Sequence, residues 1–129
     1  MDLDALLATM PFAETNGVRL TAATSDEARG RLAWSPERCT LGGTMHGGAL
    51  MLLADTVGAV CAFLGLPEGA GTATLSSSTN LLRAVRSGEV EAVARPLHRG
   101  RTTVVVVTEV RDDEGRLVSS TTQTQAVLM

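Results

Sequence analysis

The spacing of hydrophobic residues divides the chain into a first part with one long helix and a second part made of strands. Between Met45 and Leu64, leucines and valines recur every three or four residues, which is the period of an α-helix. The stretch is apolar on nearly all sides and rich in Gly and Ala. It therefore predicts a buried helix that other elements can approach closely. Gly65 and Pro67 end it.

After Gly69 the pattern changes to stretches rich in Val and Thr, which are typical of β-strands. The predicted strands are Thr72–Arg83, Glu89–Leu97, Thr102–Arg111 and Leu117–Leu128. Short turns with polar residues and glycine separate them, so successive strands are expected to pair antiparallel. The continuous apolar run at 104–107 predicts a strand that is covered on both faces.

The region before the long helix carries weaker signals. Asp2–Thr9 is predicted to form a short amphipathic helix that Pro11 ends. Gly17–Trp34 is predicted to form two weak strands around a polar turn, followed by a loop over 36–43. Together the elements predict an α+β fold, in which a curved antiparallel sheet of five to six strands wraps around one long buried helix. We expect a single domain over residues 1–129.

Composition narrows the classes of function. Hydrophobic residues make up 44% of the chain and charged residues 19%, which is compatible with a folded core. Only 2% of the residues are aromatic and the net charge is −3, so the chain offers neither stacking platforms nor a basic surface for nucleic acid. The acidic N-terminus is unlike a signal peptide, and no uninterrupted apolar run is long enough for a membrane span. With two cysteines and two histidines in no ligand spacing, we expect a cytoplasmic protein without metal or cofactor.

Two glycines, Gly47 and Gly48, lie at the predicted start of the long helix, within the segment GTMHGG at 43–48. Glycines there leave backbone N–H groups uncovered, and the helix dipole adds positive potential. Such a site can polarise a carbonyl and hold the oxyanion that forms when the carbonyl is attacked. A tight loop with a close-packed backbone is the structural alternative for the glycine pair.

Asp55 is the one charged residue of the predicted helix. A buried carboxylate costs free energy unless it is hydrogen-bonded, and burial raises its pKa, so we favour a functional role over a purely structural one. His46 and Asp55 are nine residues apart, or about 13–14 Å along the helix. If both serve one reaction, Asp55 must come from a second chain with an antiparallel helix. A two-fold dimer would then form each site from both chains.

In this order the residues resemble a known family. The segment His46–Gly48 followed by Asp55 is similar to the HGG…D motif of the phenylacetate-pathway hotdog thioesterases, within the 4-hydroxybenzoyl-CoA thioesterase type. Further segments that match are 81–84, 88–89 and 98–102. The resemblance covers the chain from Pro11 onward. It implies a hotdog fold and an enzyme that hydrolyses an aryl- or medium-chain acyl-CoA to the free acid and CoA.

The resemblance also implies roles for single residues. The N–H of Gly47 polarises the thioester carbonyl, and His46 shapes the site close to the thioester. Asp55 of the partner chain acts as general base or nucleophile. A Ser or Thr on the first strand after the helix assists, which by register is Thr74, with Ser76 as the alternative.

One position departs from the family pattern. Many relatives carry an Asn six residues before the His, where it orients the attacking water, and here that position is Thr40. A hydroxyl can hold a water with fewer groups than an amide. A non-catalytic acyl-CoA-binding hotdog protein therefore stays open as the alternative function. A dehydratase or hydratase is disfavoured, because those enzymes space their His and carboxylate differently.

The expected partners are acyl-CoA and further copies of the chain, as a homodimer or a dimer of dimers. Nucleic acid and membrane are not expected. Arginine forks suit phosphate groups, so the arginines near the strand ends are candidates for CoA. The predicted substrate-binding residues are Gly48, Arg83, Arg99, Gly100 and Arg101.

Overall fold

The computed structural model describes residues 1–129 and confirms the predicted α+β architecture. The helices are α1 (Leu3–Ala8), α2 (Pro11–Thr15) and α3 (Gly47–Leu64), with single 3-10 turns at Pro36–Arg38 and Leu41–Gly43. The strands are β1 (Arg19–Ala23), β2 (Ala28–Ala33), β3 (Gly71–Leu81), β4 (Glu89–Arg99), β5 (Thr103–Arg111) and β6 (Leu117–Leu128).

All six strands belong to one antiparallel sheet in the order β1-β2-β4-β5-β6-β3, so β1 and β3 are its edges. Helix α3 packs against the sheet and supplies much of a buried cluster that contains no aromatic side chain. By length and mean hydropathy (1.8) α3 could cross a membrane, but half of it is buried against its own sheet. One sheet packed against one long helix is the architecture expected of a hotdog fold.

Two glycines allow α3 to approach the sheet closely. A Cβ atom on Gly30 of β2 would lie 2.6 Å from Cγ2 of Val57, and one on Gly58 of α3 would lie 2.0 Å from Oε1 of Gln123. Both distances are far below van der Waals contact, so neither position accommodates a side chain without movement. The small residues seen in the sequence therefore mark the surfaces where helix and sheet touch.

Two predicted boundaries differ from the structure. Helix α3 begins at Gly47 rather than Met45, because the backbone at His46 is extended (φ −61°, ψ 135°) and its side chain caps the helix. Pro11 does not end a helix but starts one, as the first residue of α2. Proline fits there because its φ is already helical and the first helical N–H has no intrahelical acceptor.

Strand β5 is covered on only one face within the chain. Val104 and Val106 are buried against the core, whereas Val105 and Val107 are half-buried on the outer face of the sheet. The prediction of a strand covered on both faces is thus wrong for a single chain. A continuous apolar run in the sequence does not show whether the second face of the strand is covered by the same chain or by a partner chain.

The core predicts a clear difference between two leucines. Leu53 of α3 is 0% exposed and Leu97 of β4 is 69% exposed. Leu53→Ala leaves a cavity under the sheet and is expected to lower the free energy of unfolding by about 2–5 kcal/mol. Leu97→Ala, the control, is expected to change it by less than about 0.5 kcal/mol. Denaturant unfolding measures both, and equal losses would contradict this position for α3.

Candidate active site

The loop before α3 is held in place by backbone acceptors. The indole Nε1 of Trp34 donates to the carbonyl of Gly43 at 3.0 Å, and the N–H of His46 donates to the carbonyl of Arg38 at 2.8 Å. Gly42 and Gly43 adopt positive φ values of 83° and 76°, which other residues rarely adopt. The glycines before His46 therefore shape the turn, and the loop delivers His46 to the helix start.

Of the first two backbone N–H groups of α3, one is capped by a side chain and the other has no acceptor in the chain. Nδ1 of His46 accepts a hydrogen bond from the N–H of Gly48 at 2.7 Å, and the carbonyl of His46 accepts from Ala49 at 2.9 Å. The N–H of Gly47 donates to no group of the chain. Because Nδ1 of His46 is an acceptor, the proton of a neutral imidazole lies on Nε2. The helix start thus presents one free N–H and one free ring nitrogen.

A groove of about 350 Å³ beside this helix start brings together three of the predicted residues: Gly47, Thr40 and Arg83. Leu81 and Leu82 form part of its apolar wall. The Thr40 hydroxyl makes no hydrogen bond within the chain, so it is available to a bound water or substrate. The geometry places a polarising amide, a hydroxyl and a cation around one groove.

His46 and Gly48 line a second cavity of about 230 Å³, whose wall includes Phe12 and Leu52. The helix start therefore lies between two grooves, one on each side. Gly48 also has to be small, since a Cβ atom there would lie 2.9 Å from Nδ1 of His46 and would disturb the cap.

Asp55 is exposed rather than buried, and it lies where the open face of α3 borders the side that packs on the sheet. Its Oδ1 accepts a hydrogen bond from Nε2 of Gln123 at 2.8 Å. Enough of the carboxyl group is surrounded by protein that burial raises the pKa of Asp55, and the bond from Gln123 only partly offsets this. A carboxyl with a raised pKa at a helix surface is suited to proton transfer.

Asp55 cannot act at the helix start of its own chain. Gly47 and Asp55 are eight residues apart on one continuous helix, which corresponds to about 12 Å along its axis. A carbonyl bound at the Gly47 N–H lies beyond the reach of that carboxylate. The spacing inferred from the sequence is therefore present in the structure.

Comparison with known proteins identifies the family. Residues 42–119 match the family model described as the thioesterase superfamily, and this span includes both glycines of the helix start and Asp55. The chain belongs to the thioesterase superfamily. As the sequence predicted, it is a thioester hydrolase, and its class of reaction is the hydrolysis of acyl-CoA thioesters.

Individual relatives agree. The chain is 36% identical over 86 residues to the 1,4-dihydroxy-2-naphthoyl-CoA hydrolase of Escherichia coli. The aligned residues make up 67% of this chain and 63% of the relative. The structure is similar to that of the thioesterase HI1161 of Haemophilus influenzae, with a TM-score of 0.93 and 29% identity over 99% of this chain and 91% of that one. It is also similar to a mutant of the phenylacetic acid degradation protein PaaI of Thermus thermophilus, with a TM-score of 0.83 and 30% identity over 90% and 97% of the two chains. These similarities confirm the hotdog fold.

Thr74 of the thioesterase lies on β3, where its hydroxyl accepts a hydrogen bond from Nε2 of Gln125 at 2.8 Å. Ser76, the alternative, is exposed and makes no side-chain hydrogen bond. Gln125 and Gln123 are two residues apart on β6 and both are buried. The sequence analysis did not select either glutamine. The signal was two Gln residues at alternate positions of a predicted strand that otherwise contains mostly Val, Ser and Thr.

The prediction for Arg99 needs correction. Its guanidinium donates to three backbone carbonyls, those of Ala62 (3.2 Å), Cys61 (2.8 Å) and Ser25 (2.7 Å). Gly65 leaves room for it, since a Cβ there would lie 2.2 Å from the guanidinium carbon. Arg99 thus completes the C-terminus of α3, where a positive charge is favourable, and is not free to meet phosphates.

Gly100 and Arg101 line a cavity of about 350 Å³ beside Gly65, at the opposite end of α3 from Gly47. The two ends of this 18-residue helix are separated by about 27 Å. Most of the eleven basic residues bind carboxylates or backbone carbonyls. The arginines whose guanidinium groups bind no group of the chain are Arg83, Arg86 and Arg101. These three remain for phosphate.

The contacts of Arg99 predict a loss of stability on its removal. Arg99→Ala takes away a partly buried charged donor from three carbonyls, so we expect the free energy of unfolding to fall by about 1.5–3 kcal/mol. Arg101→Ala is the matched control, because Arg101 is exposed and unpaired. Thermal and denaturant unfolding measure the difference. Two equally stable variants would show that the Arg99 contacts contribute nothing.

Proposed function

We propose that this thioesterase hydrolyses aryl- or medium-chain acyl-CoA at sites shared between two chains. The observation that supports the proposal is the separation on α3 between a free N–H at Gly47 and a carboxylate at Asp55. Each group is suited to one half of an acyl-transfer reaction. Since they cannot meet within one chain, an antiparallel partner helix would bring Asp55 of one chain to Gly47 of the other.

The chemistry follows from these positions. The thioester carbonyl oxygen accepts from the Gly47 N–H, with the positive end of α3 behind it, while His46 caps the helix start from the neighbouring cavity. The partner's carboxylate then takes a proton from water as the water attacks the carbonyl carbon. Alternatively, it attacks that carbon itself to form an anhydride that water hydrolyses. In both routes the C–S bond breaks, and CoA leaves as the thiolate while the acyl group leaves as the free acid.

Two exposed surfaces support a dimer. The first is the free edge of β3, a strand of 11 residues that is exposed along most of its length, including Leu75 at 62%. Long unpaired edges are usually covered in stable proteins. The second is the open face of α3, where Met51 and Phe63 flank Asp55 at 45% and 47% exposure. A two-fold partner placed here would cover both. The half-buried valines 105 and 107 on the outer sheet face are a candidate surface for a dimer of dimers.

The acyl group has a candidate pocket next to Asp55. A cavity of about 210 Å³ opens at Ala59, one helical turn beyond Asp55. Its other walls come from Leu6, Thr9, Met10, Val60, Phe63 and Thr72. The lining is almost wholly apolar, which suits an aromatic ring or a medium-length alkyl chain. We propose that the CoA phosphates bind to Arg83 and Arg86, and that the enzyme acts in the cytoplasm.

Asp55 is expected to be essential for turnover. Asp55→Asn keeps the size of the side chain but removes the base or nucleophile, so thiol release should fall at least about a hundredfold. A panel of aryl- and straight-chain acyl-CoAs measures this and identifies the preferred acyl group. If wild type and variant bind acyl-CoA equally and neither releases thiol, the chain is the acyl-CoA-binding protein that Thr40 left open.

The Gly47 N–H can be removed without disturbing the helix. Gly47→Pro deletes it at the first helical position, which proline favours, and the extended backbone of His46 already suits a following proline. We expect at least about a hundredfold loss of kcat, as for loss of an oxyanion donor. Gly47→Ala is the control, because it adds a similar contact to the flexible end of Leu81 but keeps the N–H.

Mixing these variants tests whether the site is shared. Gly47→Pro and Asp55→Asn chains are each inactive alone, but a mixed dimer holds one intact site. After subunit exchange, half of the dimers are mixed and each regains one site of two, so about a quarter of wild-type activity is expected. A site contained in one chain would recover none.

A further inference from the structure

Two glutamines on β6 extend into an otherwise apolar core. Gln123 and Gln125 are each 1% exposed and lie on the inner face of the strand. Their amide nitrogens donate to the two candidate reacting side chains, Gln123 to Asp55 and Gln125 to Thr74, both at 2.8 Å. Being two residues apart in a strand, the glutamines are separated by about 6.5–7 Å. One strand thus contacts both candidate groups from behind.

The side chain of Gln123 is only partly hydrogen-bonded in this core. Its Oε1 is buried without a hydrogen-bond partner, and so is the nearby hydroxyl of Thr108. Gln123 Oε1 lies so close to α3 that a Cβ atom at position 58 would require the Gln123 side chain to move. A buried polar atom without a partner destabilises a protein, whereas an apolar side chain of the same size would not. The one bond that Gln123 makes is directed at Asp55, which indicates a role at the site.

We propose that Gln123 is a positioning residue, which holds Oδ1 of Asp55 so that Oδ2 stays free for the reaction and the carboxyl group stays ionised. The inference rests on the proposed function of Asp55. It adds a residue of a different strand to the site, one that does not itself touch the substrate. Gln125 contacts Thr74 in the same manner, with its own Oε1 satisfied by the Thr72 hydroxyl at 3.0 Å.

The electrostatics around Asp55 agree with this geometry. Burial raises its pKa, and the hydrogen bond from Gln123 is the one interaction that lowers it. Strands β3 and β6 carry no titratable side chain. The charged residues of the other neighbouring elements contribute no shift at Asp55: Glu14, Arg19, Arg29, Arg31, Glu89, Glu91, Arg95, His98, Arg99, Glu109 and Arg111. Removing the Gln123 amide should therefore raise the pKa of Asp55 further.

Gln123→Met tests the proposal, because methionine has a similar length and no amide. The reaction requires the carboxylate, so a higher pKa moves the acidic limb of the kcat/KM profile to higher pH. We expect that movement, a loss in kcat of at least about tenfold, and a KM within about threefold of wild type. Thermal unfolding checks that the variant is folded, because Gln123→Met also removes a hydrogen-bond donor from Asp55.

Thr121→Val is the matched control. Thr121 is buried on the same face of β6, two residues earlier, and its hydroxyl bonds to Thr79 at 2.8 Å without touching Asp55. Its acidic limb and kcat should match wild type. An unshifted limb in Gln123→Met, or an equal shift in both variants, overturns the proposal. Gln123→Leu serves if the methionine variant does not fold, because it also removes the amide and should move the limb to higher pH.

A titration that needs no turnover separates this inference from the proposed function. The ¹³C carboxyl resonance of Asp55 is followed against pH in wild type and in Gln123→Met. A higher pKa of Asp55 in the variant supports the positioning role of Gln123, and an unchanged pKa overturns it. If wild type releases no thiol from any acyl-CoA, the proposed function fails, and the titration still decides whether Gln123 controls the carboxyl group.

Discussion

The close packing of α3 against the sheet is the constraint on which the rest of the molecule depends. Glycines at positions 30 and 58 let helix and sheet approach so closely that a side chain at either position would require its neighbours to move. The side of α3 that faces the sheet is therefore filled. Groups of α3 that contact a substrate have to lie on its other face or at its ends. The free N–H at Gly47 occupies one such end and the carboxylate of Asp55 the open face. A rigid helix then fixes the distance between them.

Because of that distance, the proposed reaction requires two chains. In a monomer, a polarising amide and a carboxylate about 12 Å apart do not act on one carbonyl carbon. The same chain leaves an 11-residue strand edge and the face around Asp55 uncovered, so the surfaces open to a partner include the one that carries the proposed carboxylate. In such a dimer, one interface would both stabilise the two chains and complete their active sites.

The core contains polar side chains as well as apolar ones. Val, Ala and Leu fill most of the core around α3, yet β6 carries two buried glutamines, and Oε1 of Gln123 has no hydrogen-bond partner. Most of the arginines, in contrast, serve the stability of the fold. Arg99 looked like a phosphate ligand in sequence but completes a helix C-terminus, and most of the others are paired with carboxylates or carbonyls. Only the unpaired ones remain for a charged substrate.

The sequence by itself determined the α+β fold and the six strands to within a few residues, and it selected Gly47 and Asp55 as the candidate reacting groups. It could do so because strand and helix periods are local, and because a single charge in an apolar helix is conspicuous. Contacts between distant segments were not visible. The bond from Gln123 to Asp55, the carbonyls that hold Arg99 and the groove shared by Thr40 and Arg83 each join parts far apart in sequence. Only tertiary structure decides such pairs, because a side chain's partners are set by strand order and register.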